Sequence, residues 1–129
     1  MRFSTKSQYG LRALALLAKT QKVLTLKEIS QKEGIPFDYL EKIFSKLKKA
    51  KIVGAKKGIK GGYFLKKKPE KIKLSEIILT LERDDPFVKC LKGYCPKSKS
   101  CLTRKFWQNL NKAIRSFVNS LTLADLIKK

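Results

Sequence analysis

The chain has 129 residues, enough for one domain with a sizeable hydrophobic core. It carries 31 Lys and Arg against 10 Asp and Glu and no His, a formal charge of +21, which indicates a polyanionic partner such as nucleic acid or an anionic membrane surface. The commonest general base is therefore missing, and the sequence has no nucleophile triad, phosphate-binding glycine loop or catalytic carboxylate pair, so we expect no enzyme.

The positive charge is concentrated in the first half of the chain. Residues 1–68 have a net charge of +14, whereas residues 69–129 have +7. No stretch reaches the roughly 18 to 20 apolar residues of a membrane span, and no secretory signal is evident. We therefore expect a cytoplasmic protein with no membrane partner.

The first predicted helix covers residues 5–20, with Ser4 or Thr5 as its cap, and is so rich in Leu and Ala that most of its sides should be buried. A second helix should begin at Thr25, because Thr25 and Glu28 match a capping box. Gly34 suits the end of that helix, since glycine readily adopts the positive φ found there.

A third helix is predicted at residues 36–50, separated from the second by a very short turn. Two helices joined in this way are typical of a helix-turn-helix, although the same turn also occurs in ordinary helical hairpins. One face of this helix should contact the core through apolar residues at helical spacing: Leu40, Ile43, Phe44, Leu47 and Ala50.

Two short strands are predicted next, starting at residues 52–53 and covering residues 63–65. The segment between them combines glycines with Lys56, Lys57 and Lys60, which predicts a basic hairpin. A basic hairpin after a candidate recognition helix suits DNA, because the helix can enter the major groove while the hairpin reaches phosphates or the minor groove. We therefore predict a winged helix-turn-helix DNA-binding region at residues 1–68.

The second half of the chain is predicted to hold a short helix at residues 75–81, an irregular loop, and a long helix at about 102–120. The long helix has a wider apolar face than its own domain needs, which favours burial against a second copy of the chain. Thr122 and Asp125 can cap a last short helix. We assign residues 69–101 to the short helix and loop, and residues 102–129 to a dimerisation region.

Three cysteines, Cys90, Cys95 and Cys101, lie in or at the end of the irregular loop. In a cytoplasmic protein such a cluster indicates a metal or redox site more often than a disulfide, and the neighbouring lysines favour thiolates. The spacing matches neither a zinc knuckle nor the usual ferredoxin motifs, and three thiolates are one ligand short of four. The residues alone leave the metal open.

Several motifs together resemble the IscR-like family of iron-sulfur cluster transcription regulators, over nearly the whole chain. They are RFSTKSQYGLRAL in the first helix, IPFDYLEKIFSKL in the third, KKGIKGGY in the hairpin, and the three cysteines followed by CLTRKFW. The resemblance implies a mainly α fold with a small β-hairpin wing and a long C-terminal dimerisation helix. It also implies a homodimeric repressor with a [2Fe-2S] cluster that reports cluster supply, redox state or nitric oxide.

By the same resemblance, the major groove is read from the third helix, the wing enters the minor groove, and the cysteines hold the cluster. The matching positions are Asp38, Tyr39, Glu41 and Lys42 in the helix, Lys57 and Gly58 in the wing, and Cys90, Cys95 and Cys101.

The fourth cluster ligand is where the sequence departs from the family. Arg104 stands where well-known members have a histidine, and a guanidinium is a very poor iron ligand. Gln8 stands where other members have an acidic residue donated by the partner subunit. Glu82, Asp84 or Asp85 in the loop are possible substitutes.

Two alternatives stay open from the sequence. In one, the same fold has no cluster and is controlled by thiol oxidation, a partner protein or a small ligand. In the other, the positive charge serves RNA or ribosome binding.

Overall fold

The computed structural model describes residues 3–82 and 99–128 and is mostly helical, with one antiparallel hairpin. The elements follow in chain order: α1 (Thr5–Thr20), α2 (Leu26–Glu33), α3 (Phe37–Lys49), β1 (Val53–Lys56), β2 (Gly62–Leu65), a 3-10 turn (Pro69–Lys71), α4 (Leu74–Leu81), α5 (Arg104–Ser120) and α6 (Leu123–Ile127).

Helix α1 forms the centre of the fold and has the predicted bounds. The Ser4 hydroxyl accepts a hydrogen bond from the Ser7 N–H at 3.3 Å, which caps the first turn. Leu14 and Leu17 are essentially inaccessible to solvent, and the helix packs against α2, α3, α4 and α6. Burial of this largely apolar helix on several sides confirms the sequence prediction.

The turn between α2 and α3 is fixed by local hydrogen bonds. Thr25 and Glu28 form the predicted capping box, with the Glu28 N–H to Thr25 Oγ1 and the Thr25 N–H to Glu28 Oε1 both at 3.1 Å. Gly34 ends α2 with a φ of 65°, as expected. The Ser30 hydroxyl then donates to the Ile35 carbonyl at 2.5 Å, which holds the turn closed.

The apolar face of α3 is buried as predicted, with one exception. Leu40, Ile43, Phe44 and Leu47 are fully buried, but Ala50 is exposed. Ala50 is the C-cap, where the chain leaves the helix, and the next residue already has a positive φ. Helical spacing therefore does not extend to Ala50, and its prediction as a core residue is wrong.

The wing, residues 53–65, is a hairpin in which Val53 pairs with Leu65 and Lys56 with Gly62. A bridge to the segment before α2 extends it, since the Leu24 N–H donates to the Tyr63 carbonyl at 3.0 Å and the Tyr63 N–H donates to the Leu24 carbonyl at 2.7 Å. The base of the hairpin is thus attached to the helical core through backbone hydrogen bonds.

The end of the chain returns to the beginning of the fold. The Leu74 N–H donates to the Leu121 carbonyl at 3.0 Å, and the Leu123 N–H donates to the Ile72 carbonyl at 2.8 Å. Helix α6 packs against α1 and the 3-10 turn, and Leu123 is fully buried. Residues 3–82 and 121–128 therefore share one hydrophobic core, called here the head.

Helix α5, called here the arm, packs against α4, and none of its residues 104–120 is fully buried. The Ser75 hydroxyl donates to Asn119 Oδ1 at 3.0 Å, which ties the end of the arm to the start of α4. Within residues 3–82 and 99–128, no helix is long and apolar enough to span a membrane.

Candidate nucleic-acid interface and cysteine site

The side of α3 opposite the core is open to solvent and carries charged groups. Asp38, Glu41 and Lys42, three of the four predicted reading residues, are exposed. The last turn of the helix adds Lys46, Lys48 and Lys49, so its C-terminal half is strongly basic. This face combines carboxylate acceptors near its start with ammonium donors near its end, which suits contacts to base edges and phosphates.

Tyr39, the fourth predicted reading residue, is half-buried. Its ring meets the ring of Tyr9 in α1 edge-to-face, with centroids 5.4 Å apart, and the Arg12 guanidinium lies 5.8 Å from the Tyr9 centroid. Arg12 also pairs with Glu33 at the end of α2, at 3.5 Å. Tyr39 thus belongs to a set of contacts that fixes the relative positions of the first three helices.

The predicted wing residues Lys56, Lys57, Gly58 and Lys60 are all exposed at the tip of the hairpin. No ion pair joins these lysines to an acidic side chain in the described ranges. Their charges are therefore available to an external anion.

The wing and α3 are in direct contact through two aromatic rings. The ring centroids of Phe44, on the buried face of α3, and Tyr63, in β2, are 4.9 Å apart with the planes at 62°. This edge-to-face contact holds the basic tip beside the exposed face of the helix. The structure therefore brings the two groups of predicted DNA contacts onto one module.

A pair of lysines that the sequence analysis did not assign to the site lies next to this module. The pKa of Lys46 in α3 is lowered, chiefly by the charge of the Lys6 ammonium in α1 and also by hydrogen bonding with it. Two ammonium groups held together attract an anion. The pair arises from the packing of α1 on α3, which no local sequence pattern reveals.

Only one of the three cysteines, Cys101, lies in the part of the chain that the structure describes; Cys90 and Cys95 lie outside it. The Cys101 sulfur is 3.4 Å from Thr103 Oγ1. Hydrogen bonding with Thr103 is the main cause of a lowered pKa of the Cys101 thiol, and the Arg104 charge adds to it. A thiol that ionises readily is chemically suited to binding iron.

The candidate fourth ligands have other contacts. Glu82 Oε2 accepts a hydrogen bond from the Ser4 N–H at 2.5 Å, and the Gln8 amide donates to the Phe3 carbonyl at 3.2 Å. Arg104 is the first residue of α5. Asp84 and Asp85 lie outside the described residues. Within the described ranges, no three His, Cys, Asp or Glu side chains converge as a metal site.

The arm has an apolar stripe that its own head does not cover. Phe106 and Phe117 are 58% and 65% exposed, and Leu102 before the helix is 98% exposed. Ala113 lies between the two phenylalanines on the same side and is also exposed. The side facing α4, with Trp107 and other half-buried residues, is a separate part of the apolar surface. An uncovered stripe of this kind is typical of an interface.

The turn-linked helices, the exposed face of α3 and the basic hairpin attached to it define a winged helix-turn-helix transcription regulator. The Rrf2 family, described as iron-dependent transcriptional regulators, matches residues 3–129. The chain belongs to this family. This membership agrees with the predicted fold class, with the resemblance to IscR-like regulators, and with the expectation that the protein is no enzyme.

Relatives and solved structures support the assignment over nearly the full chain. The protein rrf2 of Nitratidesulfovibrio vulgaris is 36% identical over 99% of this chain and 88% of its own length. The structure of T. potens IscR is 32% identical, covers 98% of this chain and 86% of the other, and gives a TM-score of 0.80. CymR, the global cysteine regulator of B. subtilis, is also 32% identical, with coverage of 98% and 96% and a TM-score of 0.84.

Proposed function

We propose that the protein is a homodimeric repressor that binds double-stranded operator DNA and responds to a [2Fe-2S] cluster. The observation that carries the DNA-binding part is the contact between Phe44 and Tyr63, which holds the basic wing beside the exposed face of α3. A major-groove helix and a minor-groove hairpin must keep a fixed separation to bind one site, and this contact supports such an arrangement.

The proposed DNA contacts are those of the sequence analysis. The side chains of α3 contact base edges in the major groove, where a carboxylate accepts from a cytosine amino group and a lysine donates to guanine. The wing lysines contact phosphates and the edge of the minor groove, and Gly58 allows the backbone to approach the DNA closely. The contacts are Asp38, Tyr39, Glu41, Lys42, Lys56, Lys57, Gly58 and Lys60.

The proposed dimer forms through the arm. Burial of the stripe that contains Phe106 and Phe117 removes large apolar side chains from water, which favours association of two copies. A symmetric dimer presents two α3 helices to two half-sites of a palindromic operator. We place this dimer in the cytoplasm, where its DNA partner is found.

The proposed cluster ligands are Cys90, Cys95 and Cys101. The lowered pKa of the Cys101 thiol fits this role, as does the iron-dependent description of the family. When bound, the cluster supplies a group sensitive to redox state, nitric oxide and cluster supply. Cys101 precedes the arm by only two residues, and a coupling of about 1 to 3 kcal/mol, typical of allostery, changes operator affinity roughly 5- to 150-fold.

The DNA-binding proposal is tested by selecting duplexes from a randomised library with the purified protein and measuring affinity for the winner at several salt concentrations. Lys57→Ala should weaken binding and lower the salt slope by about 0.9, the value for one phosphate contact. The matched control is Lys112→Ala, which removes an exposed lysine from the arm. Failure to select any duplex, or stronger retention of RNA in competition, would contradict operator binding.

The cluster proposal has a separate test. Protein purified without oxygen should be coloured and contain about two irons and two sulfides per subunit, the content of one [2Fe-2S] cluster. Replacing Cys90, Cys95 and Cys101 together with Ala should remove the colour and the iron. A colourless wild type that resists reconstitution would favour the alternative, a regulator of the same fold that senses thiol oxidation or a partner.

A further inference from the structure

The tip of the wing carries a large apolar side chain that the described part of the protein leaves uncovered. Ile59 is fully exposed, at 105% of its reference accessibility, while its neighbours Lys57 and Lys60 are cationic. The exposed Phe106 and Phe117 belong to the stripe on the arm, but Ile59 lies at the opposite functional end of the chain. An isoleucine among lysines at a hairpin tip is not needed for folding.

The backbone presents this side chain in a defined position. The Gly61 N–H donates to the Gly58 carbonyl at 3.0 Å, which closes a tight turn with Ile59 and Lys60 as its two central residues. The hairpin behind the turn is anchored by strand pairing and by the contact of Tyr63 with Phe44. Ile59 is therefore carried on a braced support.

These features match the way apolar side chains bind the minor groove. Architectural DNA-binding proteins insert an apolar wedge between base pairs and kink the duplex, while nearby cations contact the backbone. A β-branched side chain such as Ile59 has few rotamers, so it loses little freedom on insertion. Pyrimidine–purine steps such as TA and CA unstack most easily and would accept a wedge at the lowest energetic cost.

We infer that Ile59 inserts from the minor-groove side into a flexible pyrimidine–purine step of the operator and bends the DNA there. This inference rests on the proposed operator binding and adds a specificity determinant to it. Ile59 reads the deformability of the step, because an aliphatic side chain makes no hydrogen bond to a base. The wing lysines provide attraction, and Ile59 selects where the wing settles.

The test compares wild type, Ile59→Ser and Ile59→Leu on a duplex that the wild type selects from a randomised library. Ile59→Ser should bind roughly tenfold to a hundredfold more weakly, the change that corresponds to exposing a buried aliphatic side chain. Its salt slope should equal that of wild type, because no phosphate contact is lost. Ile59→Leu should restore most of the affinity.

A second measurement reports the bend itself. With 2-aminopurine placed in the duplex at the step that faces the wing, wild type and Ile59→Leu should increase its fluorescence by unstacking it, whereas Ile59→Ser should not. All three variants should melt at the same temperature, since the side chain is outside the core.

The possible failures are distinguishable. If Ile59→Ser binds the selected duplex as tightly as wild type and gives the same fluorescence, operator binding stands and the wedge is wrong. If wild type selects no duplex at all, both the proposed function and the inference are overturned.

Discussion

Phe44 and Tyr63 join the recognition helix to the wing: their rings meet edge-to-face at 4.9 Å, with Phe44 fully buried in the core. The wing is thus braced at its base. A shift of α3 moves the basic tip with it, and the two proposed DNA-contacting elements behave as one body.

Loss of the Tyr63 ring should therefore affect both stability and binding. Tyr63→Ala removes an aromatic pair and half-buried apolar surface, so we expect the free energy of unfolding to fall by about 2 kcal/mol in denaturant titrations. Tyr63→Phe keeps the ring and serves as the control. Equal stability of the two variants would show that the ring contact does not hold the wing.

Two glycines allow a comparison of conformational strain with steric clash. Gly34 has a φ of 65° and open space where a Cβ would stand, whereas a Cβ at Gly62 would lie 2.5 Å from the Leu24 carbonyl oxygen. Gly34→Ala should cost about 1 kcal/mol from backbone strain alone. Gly62→Ala should cost at least twice as much and should also loosen the wing, as measured by amide hydrogen exchange at Tyr63.

The Glu82 carboxylate should make stability depend on pH. Partial burial opposes its ionisation, but hydrogen bonds from Ser7 and Ser4 outweigh the burial and lower its pKa. Because the folded-state pKa is lowered, the stabilisation is complete above the unfolded carboxyl pKa of about 4.3 and is lost as the pH falls through the folded value. Thermal melts at a series of pH values should show wild type exceeding Glu82→Gln at neutral pH, with the difference vanishing in acid. A constant difference would contradict the assignment.

The apolar stripe of the arm predicts the behaviour of charged variants. Phe117→Glu places a charge in the stripe and should raise the dimer dissociation constant by at least about a hundredfold, since the side chain is lost from both subunits. Ser116→Glu adds the same charge at the adjacent exposed position outside the stripe and should leave association unchanged. Sedimentation velocity over a range of concentrations distinguishes the two. Equal dissociation constants would place the interface elsewhere.

Local sequence signals predicted the head well because its elements begin and end at residues with their own chemistry. Thr25 with Glu28, and Thr122 with Asp125, cap their helices by hydrogen bonds within four residues, so the pattern and the geometry coincide. Ala50 shows the limit, because a helical repeat does not mark where the backbone departs from the helix.

Contacts between distant segments were not predictable in the same way. The approach of Lys6 to Lys46, and the hydrogen bond of Glu82 to the Ser4 N–H, depend on how α1 packs against α3 and α4. Tyr39 was expected only as a DNA contact, yet its ring also packs against Tyr9. Periodicity identifies which face of a helix is apolar but not which neighbour each side chain meets.

The return of the chain to the head has a consequence for its synthesis. Leu123 is fully buried against α1 and the 3-10 turn, and its N–H completes a hydrogen bond to Ile72. The ribosome therefore releases this piece of the core only after the arm has been made. The DNA-reading half of a nascent chain stays unfinished until then, so a completed head always emerges together with the helix that can pair it to a second copy.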